Sequence, residues 1–522
     1  MTYFMKIEVI DIISFFGFIA FVIIISLYKS GKKKTDEDYF LAGRNLSWWL
    51  IGISIIATNI SSEHFVGQAG QGFRDGIGLA IATWGWMAAF AMVIMAIFLL
   101  PKYLKIGIYT LPEFLEYRYN RAVRTLMSVY MLFFYAFISM ATVLYSGALT
   151  LETIFEIPLY YGIWGIGIIA GFYTYYGGLS AVVWSDLIQG ITLLIGGVII
   201  FILSLNKVGG WGSFVSNNSD RLHVIMPLDH PELPWLAVFF GGMWIPHFFY
   251  WGFSQFIVQR SLAAKDIEAG QKGVLLGATL KVLITFMIII PGIIAFDLFG
   301  DEIRANCDTC NCGDSAYPLL IKKLLPIGYI GIMLAALFGA ILSTLDSLLN
   351  SAATIFTVDI YKPFINKKAS SSKSLKIGKL STIILILIAC LWAPVITSFE
   401  GGVYIFINQF WGFMQSGVVA AFFYGIFWKK ISWKAAFIGM IINFPIYGFL
   451  IIYMPDIPFL HSQAITFISI ILFITIYTLI WPQKESVKIP YKYHQDYKLS
   501  PTVKYWGISI CVFTSMLILY FR

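Results

Sequence analysis

The stretch "ATNISSEHF", residues 57–65, decides how the rest of this chain is read. Apolar sequence flanks it, "WWLIGISII" (48–56) before and "VGQAGQGF" (66–73) after. Asn59, Ser61, Ser62, Glu63 and His64 therefore fall in the middle of a segment long enough to cross a bilayer. Hydrocarbon offers these groups no partner, so each is costly unless it faces protein or a water-filled cavity. Ser61 and Ser62 read as hydroxyls that bond to neighbouring helices. Asn59, Glu63 and His64 together read as functional. Backbone carbonyls freed near Ala57 and Ile60 suit a cation, with Asn59 and His64 facing a substrate.

The whole chain has this apolar character. Of 522 residues, 59% are hydrophobic and only 12% charged, which excludes a soluble enzyme. About fourteen stretches reach the roughly 20 residues needed to span a membrane. The first lacks a small-residue cleavage site and precedes a basic loop, so it reads as a retained helix. If the N-terminus lies outside, the cytoplasmic loops (29–47, 102–122, 178–182, 260–271, 358–376, 428–432 and 482–502) and their flanks collect 27 of the 36 Lys and Arg, and the outer connections six. That asymmetry places both termini outside the cytoplasm. The net charge of +8 then reports topology, and nothing points to nucleic acid. Cys307, Cys310 and Cys312 fall in an outer loop, where one disulfide and a spare thiol are expected. Cys390 and Cys511 read as packing residues.

Two spans read as interrupted. One holds the opening stretch; the other, "FFGGMWIPHFFYWGFSQF" (239–256), carries Pro246, which should kink or unwind it. They are five apart in the order of spans, an odd separation, so they cross in opposite directions, as an inverted repeat of five plus five helices requires. The expected organisation is a first helix with a basic loop (1–47), a five-helix repeat (48–205), an outer loop (206–234), a second five-helix repeat (235–430) and three peripheral helices (431–522). Broken spans in matching positions point to a transport site at the bilayer midplane.

Other polar groups within spans are few. They include Asp186, Lys281 and His247, and in "LSTLDSLLN" (342–350) Ser343, Asp346, Ser347 and Asn350 share one helical face. Oxygen donors at that spacing suit a hard cation. Lys281 and His247 suit a polyhydroxylated or anionic ligand, or Lys281 pairs with a carboxylate such as Glu63. No phosphate-binding loop or nucleophile–base arrangement is visible, so an ion gradient, not catalysis, must drive any transport.

The motifs "DYFLAGRNLSWW" (38–49), "GIYTLPEFLEYRY" (107–119), "YTYYGGLSAVVWSDLIQ" (173–189) and "LSTLDSLLNSAATIFTVDIYK" (342–362) resemble the sodium/solute symporter family. The similarity runs from about residue 36 to 430 and is greatest to its bacterial and animal sugar carriers. The resemblance implies a fold of fourteen membrane helices with a five-plus-five inverted-repeat core, in the plasma or inner membrane. It implies a sodium site from the Ala57, Ile60 and Ala340 carbonyls and the Ser343 and Thr344 hydroxyls. A possible second site comprises Asp186, Asp346 and Ser347. Its sugar site maps onto Asn59, His64, Lys281, His247, Asn408, Tyr135 and Gly85, with Tyr250 and Trp251 as a gate. Gly85 replaces a sugar-binding glutamate and His247 an asparagine.

Losing an acceptor carboxylate and gaining an imidazole favours a sugar-like ligand with acidic character. The expected function is therefore sodium-driven uptake of a sugar or sugar derivative by alternating access, with sodium as coupling ion and no organic cofactor. Alternatives are a sodium symporter for a carboxylate, amino acid or polyol, or a solute sensor or channel on the same fold.

Overall fold

The computed structural model describes residues 8–31, 35–61, 63–155, 157–305, 312–398, 402–483, 489 and 497–522. Cys307 and Cys310 lie outside them, as do the side chains of Glu63, Cys312 and Asn408, so the expected disulfide and an ion pair of Glu63 with Lys281 fall outside the described residues. Cys390 is buried and Cys511 half-buried, both unpaired.

The described residues are helical, with one isolated parallel bridge between Leu46 and Ala264. Among the described residues, eleven helices are long and apolar enough to cross a membrane. In chain order, α1 (Val9–Ser30) exposes most of its surface, as a lipid-facing helix does. The short α2 (Asp36–Leu41) starts at a capping box, in which Thr35 Oγ1 accepts from Asp38 N at 3.0 Å and Asp38 Oδ2 from Thr35 N at 3.1 Å. α3 (Trp48–Asn59) ends where Ile60 turns extended (φ −80°, ψ 109°), and a π-helical stretch, Glu63–Gln68, leads into α4 (Ala69–Phe73). The segment quoted first is thus broken, as its polar content demands.

α5 (Ala82–Ile94) follows and, after further helices within residues 95–155 that include the span Arg121–Glu152, α6 (Leu159–Lys207). At 1.5 Å per residue the 49 residues of α6 would extend about 74 Å, more than twice a bilayer core. Gly178 (φ 55°, ψ −166°) divides α6 between the two spans expected there.

The other interrupted segment comprises α7 (Trp235–Phe239), α8 (Trp244–Phe248), a π-helical turn Phe249–Phe253 and α9 (Gln255–Leu262). Its breaks fall at residues 240–243 and at extended Ser254 (φ −95°, ψ 122°), not at Pro246. Pro246 is the third residue of α8, in the first turn, where a missing N–H leaves no helical bond unmade. The loop expected at 260–271 is correspondingly shorter, because α9 continues to Leu262 and α10 (Ile267–Ala305) begins at Ile267.

α11 (Tyr329–Ile355) is the axis of the molecule: Met333 through Ile355 are buried without exception. α12 (Ser371–Trp392), α13 (Gly402–Phe427), α14 (Trp433–Tyr453), α15 (Phe459–Ile480) and α16 (Pro501–Tyr520) complete the chain. α3 and α10 cross at close range on glycine. A Cβ on Gly52 would lie 2.7 Å from Leu276 Cβ, and one on Gly273 2.7 Å from Ile51 Cγ2. Small residues let membrane helices approach until side chains one or two turns further can bond directly. Here those side chains are Asn59 and Lys281.

Candidate functional site

The unwinding at Ile60 leaves the last carbonyls of α3 without helical donors. Ile60 N closes on Ile56 O at 2.8 Å, and the carbonyls that follow project from the negative end of the helix dipole. α11 crosses at this end. Thr344 Oγ1 lies 3.0 Å from Thr58 O and 3.1 Å from Ala340 O. The neighbouring Ser343 Oγ donates to Asp186 Oδ1 at 2.5 Å. Thr58 O, Ala340 O and the Ser343 and Thr344 hydroxyls thus gather at the end of α3 where the Ala57 and Ile60 carbonyls were expected to bind a cation, and oxygen donors of this kind fit a hard monovalent one.

One residue further along α3, the chemistry changes. Lys281 Nζ donates to Asn59 Oδ1 at 2.6 Å and lies 3.1 Å from His64 Nε2, while Asn59 Nδ2 donates to Tyr250 OH at 3.0 Å. All four line a cavity of about 200 Å³, together with Trp251 and His247. His247 Nε2 is buried without a hydrogen-bond partner, and its ring meets Trp84 edge-on at 5.6 Å. Trp251 stacks edge-on against Tyr250 at 4.9 Å, so the two residues of the expected gate form one aromatic wall.

Two expected contact residues stand elsewhere. Tyr135 lies behind the wall: its OH contacts Ser254 Oγ at 3.0 Å and accepts from Phe256 N at 3.3 Å, bracing the break before α9. Gly85 faces α10, where a Cβ would sit 3.1 Å from Thr285 Oγ1 and 3.5 Å from Lys281 O. The same Cβ would lie 3.9 Å from Lys281 Cε, so Gly85 adjoins the cavity without lining it, whereas Trp84 and Ala88 of α5 do line it. The side chain of Asn408 is not described, but Trp411 and Gln415 of the same helix line the cavity.

The residues of the expected second cation site are only partly assembled. Arg260 Nη2 donates to Asp186 Oδ2 at 3.1 Å and also to Ser347 Oγ. Arg260 Nε donates to Ser54 Oγ at 2.6 Å, and Ser54 Oγ and Thr58 Oγ1 both reach Asp186 Oδ2. A guanidinium thus stands between Asp186 and Ser347. Asp346 turns away and accepts from Thr174 Oγ1 at 2.8 Å.

Arg260, counted above among loop cations, is the principal residue the sequence reading missed, with Ser54, Trp84 and Gln415. An arginine only six residues past an unwound Ser254 was the available signal for it. Ser54 lies in an unbroken apolar run and carried none.

A family model for the sodium:solute symporter family matches residues 39–443. The chain is 40% identical over 480 residues to a sodium/glucose cotransporter of Vibrio parahaemolyticus, covering 88% of each chain. It is 35% identical over 468 residues to sodium/myo-inositol cotransporter 2 of Mus musculus, covering 84% of this chain and 69% of that one. A sodium-coupled sialic acid symporter, solved substrate-bound and outward-open, superposes with a TM-score of 0.82 at 24% identity, over 92% of this chain and 100% of its own, and so shares the fold. A multi-pass membrane carrier that couples solute movement to sodium is the class these findings define. The chain belongs to the sodium:solute symporter family.

Proposed function

We propose that this protein takes up a sugar or sugar derivative together with sodium, by alternating access. One observation carries the reading. Consecutive residues at the broken end of α3 face the two cargoes: Thr58 O meets Thr344 of the cation site, and Asn59 bonds Lys281 and Tyr250 of the cavity. An ion that orders this end also sets the solute groups, and movement of the end disturbs both. Each sodium ion entering down about 100 mV supplies roughly 2.3 kcal/mol, before its concentration gradient is added. Sodium is held by the carbonyls of Ala57, Ile60 and Ala340 and the hydroxyls of Ser343 and Thr344; Tyr250 and Trp251 gate the cavity.

Splitting α6 at Gly178 and adding the two broken segments to the eleven long helices supports fourteen crossings. With the basic residues inside, both ends then lie outside the cytoplasm. The breaks in residues 48–73 and 235–262 fall in matching positions of the repeats 48–205 and 235–430.

An acidic sugar fits the cavity best. Its described lining carries Lys281, His64 and His247 and no carboxylate. The neutral reading rests on the glucose and myo-inositol named for two relatives. Proteoliposomes under an inward sodium gradient decide between them. Labelled hexuronate and sialic acid should accumulate ahead of glucose and myo-inositol; accumulation of the neutral compounds alone overturns the acidic assignment. Removing sodium, or Ser343→Ala, should abolish concentrative uptake of whichever compound is carried.

A further inference from the structure

The polar face of α11 does not end at the cation site. Ser343, Ser347, Asn350, Ser351 and Thr354 follow one another on one side of the helix, and all are buried. At 1.5 Å per residue, Asn350 stands about 10 Å beyond Ser343. On the reading above, that direction is toward the cytoplasm. Two elements close over this end. Ser351 Oγ donates to Gln259 Oε1 of α9 at 2.5 Å. Gln259 Nε2 in turn donates to Thr354 Oγ1 at 3.0 Å and to Phe40 O of α2 at 2.8 Å.

Asn350 is the anomaly. It is fully buried, yet neither its amide nitrogen nor its amide oxygen has a hydrogen-bond partner. Two turns further on, the Thr357 hydroxyl is likewise buried and unpaired. Buried polar groups are almost always satisfied, so each exception needs a reason. A packing asparagine bonds to the facing helix, as Asn443 does to Gly412 O and Gly417 N, and Asn350 does not. Leu345, Leu348 and Leu349 fill the neighbouring positions of α11, so an apolar side chain is at home at this depth. What an unpaired amide oxygen and hydroxyls in series offer is successive coordination to a small cation stripped of part of its water.

We propose that sodium leaves for the cytoplasm along this face of α11, with Asn350 as a transient coordination point and α2 as the cover over the exit. The route is shut here by Gln259 and by α2, whose Tyr39 and Phe40 are wholly buried. Asp36 fastens α2, accepting from Lys362 Nζ at 2.7 Å and Ser371 Oγ at 2.8 Å. Solute, in contrast, leaves through the cavity at Tyr250. The inference rests on the sodium-symport reading and its orientation.

The test separates ion release from solute release. Net sodium-driven uptake requires sodium to leave on the cytoplasmic side; exchange of labelled for unlabelled solute, with equal sodium on both sides, does not. The probe is whichever of glucose, myo-inositol, hexuronate or sialic acid the wild-type protein accumulates in proteoliposomes. Asn350→Leu should slow net uptake by about tenfold, the change that accompanies about 1.4 kcal/mol on a barrier. Exchange should continue at the wild-type rate, and Asn350→Ser should restore net uptake. If Asn350→Leu does not reach the membrane, the near-isosteric Thr354→Val on the same face gives the same readout. Equal loss of both activities, or loss of neither, overturns the route and leaves sodium to exit through the solute cavity. If the wild-type protein accumulates none of these compounds under a sodium gradient, the symport reading itself fails and takes the route with it.

Discussion

Asp186 and Arg260 meet at 3.1 Å with both side chains fully buried, joining the second half of α6 to the inner piece of a broken helix. Their neighbours come from two more elements: Ser54 and Thr58 of α3, and Ser343 and Ser347 of α11. The pair therefore locks four elements around the cation site. Removing one partner of a buried pair strands the other charge, which costs about 3–5 kcal/mol. Arg260→Met should lower thermal stability in detergent by that order, and adding Asp186→Asn should recover most of the loss. A double-mutant cycle that shows no coupling would break the lock.

The lysine in the cavity has a different role. Lys281 donates to Asn59, lies beside His64 and lines the cavity, so its ammonium is placed to meet a ligand there. Lys281→Met should weaken solute binding by roughly 10- to 100-fold, matching the 1.5–3 kcal/mol of a hydrogen bond to a charged group. Sodium affinity measured without solute should change far less, because the cation site is built of oxygen donors. Binding titrations with each ligand alone check both statements; a parallel loss of sodium affinity would contradict the division between the two sites.

Gly85 supplies a third expectation. The resemblance places a sugar-binding glutamate here, yet a Cβ alone would already press on Thr285 Oγ1 at 3.1 Å. Gly85→Glu should gain no solute affinity and should destabilise the protein by about 1–3 kcal/mol through overpacking. Stability and solute binding of the same preparation check this, and a tighter-binding, stable variant would place Gly85 in the cavity after all.

Asp36 makes the fastening of α2 dependent on pH in a calculable direction. Partial burial pushes its carboxyl up, but hydrogen bonds from Lys362 and Ser371 and the lysine charge outweigh burial and hold it below the usual carboxylate range. A carboxyl lowered by folding contributes stability above its unfolded value of about 4, and loses it as pH falls through the folded value. Protection of residues 35–44 against hydrogen exchange, taken relative to the intrinsic rate at each pH, should therefore be constant between pH 7 and 5 and fall only in stronger acid. Asp36→Asn should lower this protection throughout; a loss of protection already at pH 6 would exclude this contact as the fastener.

The sequence made some of this legible because hydrocarbon is unforgiving. Asn59 and His64 in one apolar segment forced the break at Ile60, and Lys281 stood out as an isolated cation. The share of the fold set by contacts between helices could not be read. Gly85 differs from an open site only by what α10 places opposite it. Helical spacing put Asp346 and Ser347 on one face of α11, but not that Thr174 takes the first while Arg260 takes the second. Pro246 looked like a breaker, yet the chain begins a new helix two residues earlier and makes it harmless.

The turn at Gly178 reaches further than its position suggests. A Cβ there would press on Tyr39 O and Cδ2 at 2.7 Å, in a backbone conformation few other residues adopt. Tyr39 adjoins Phe40, whose carbonyl anchors Gln259 against α11. An alanine at this corner, touching neither passenger, would surface in the laboratory as a fault in turnover and be mistaken for damage to a binding pocket.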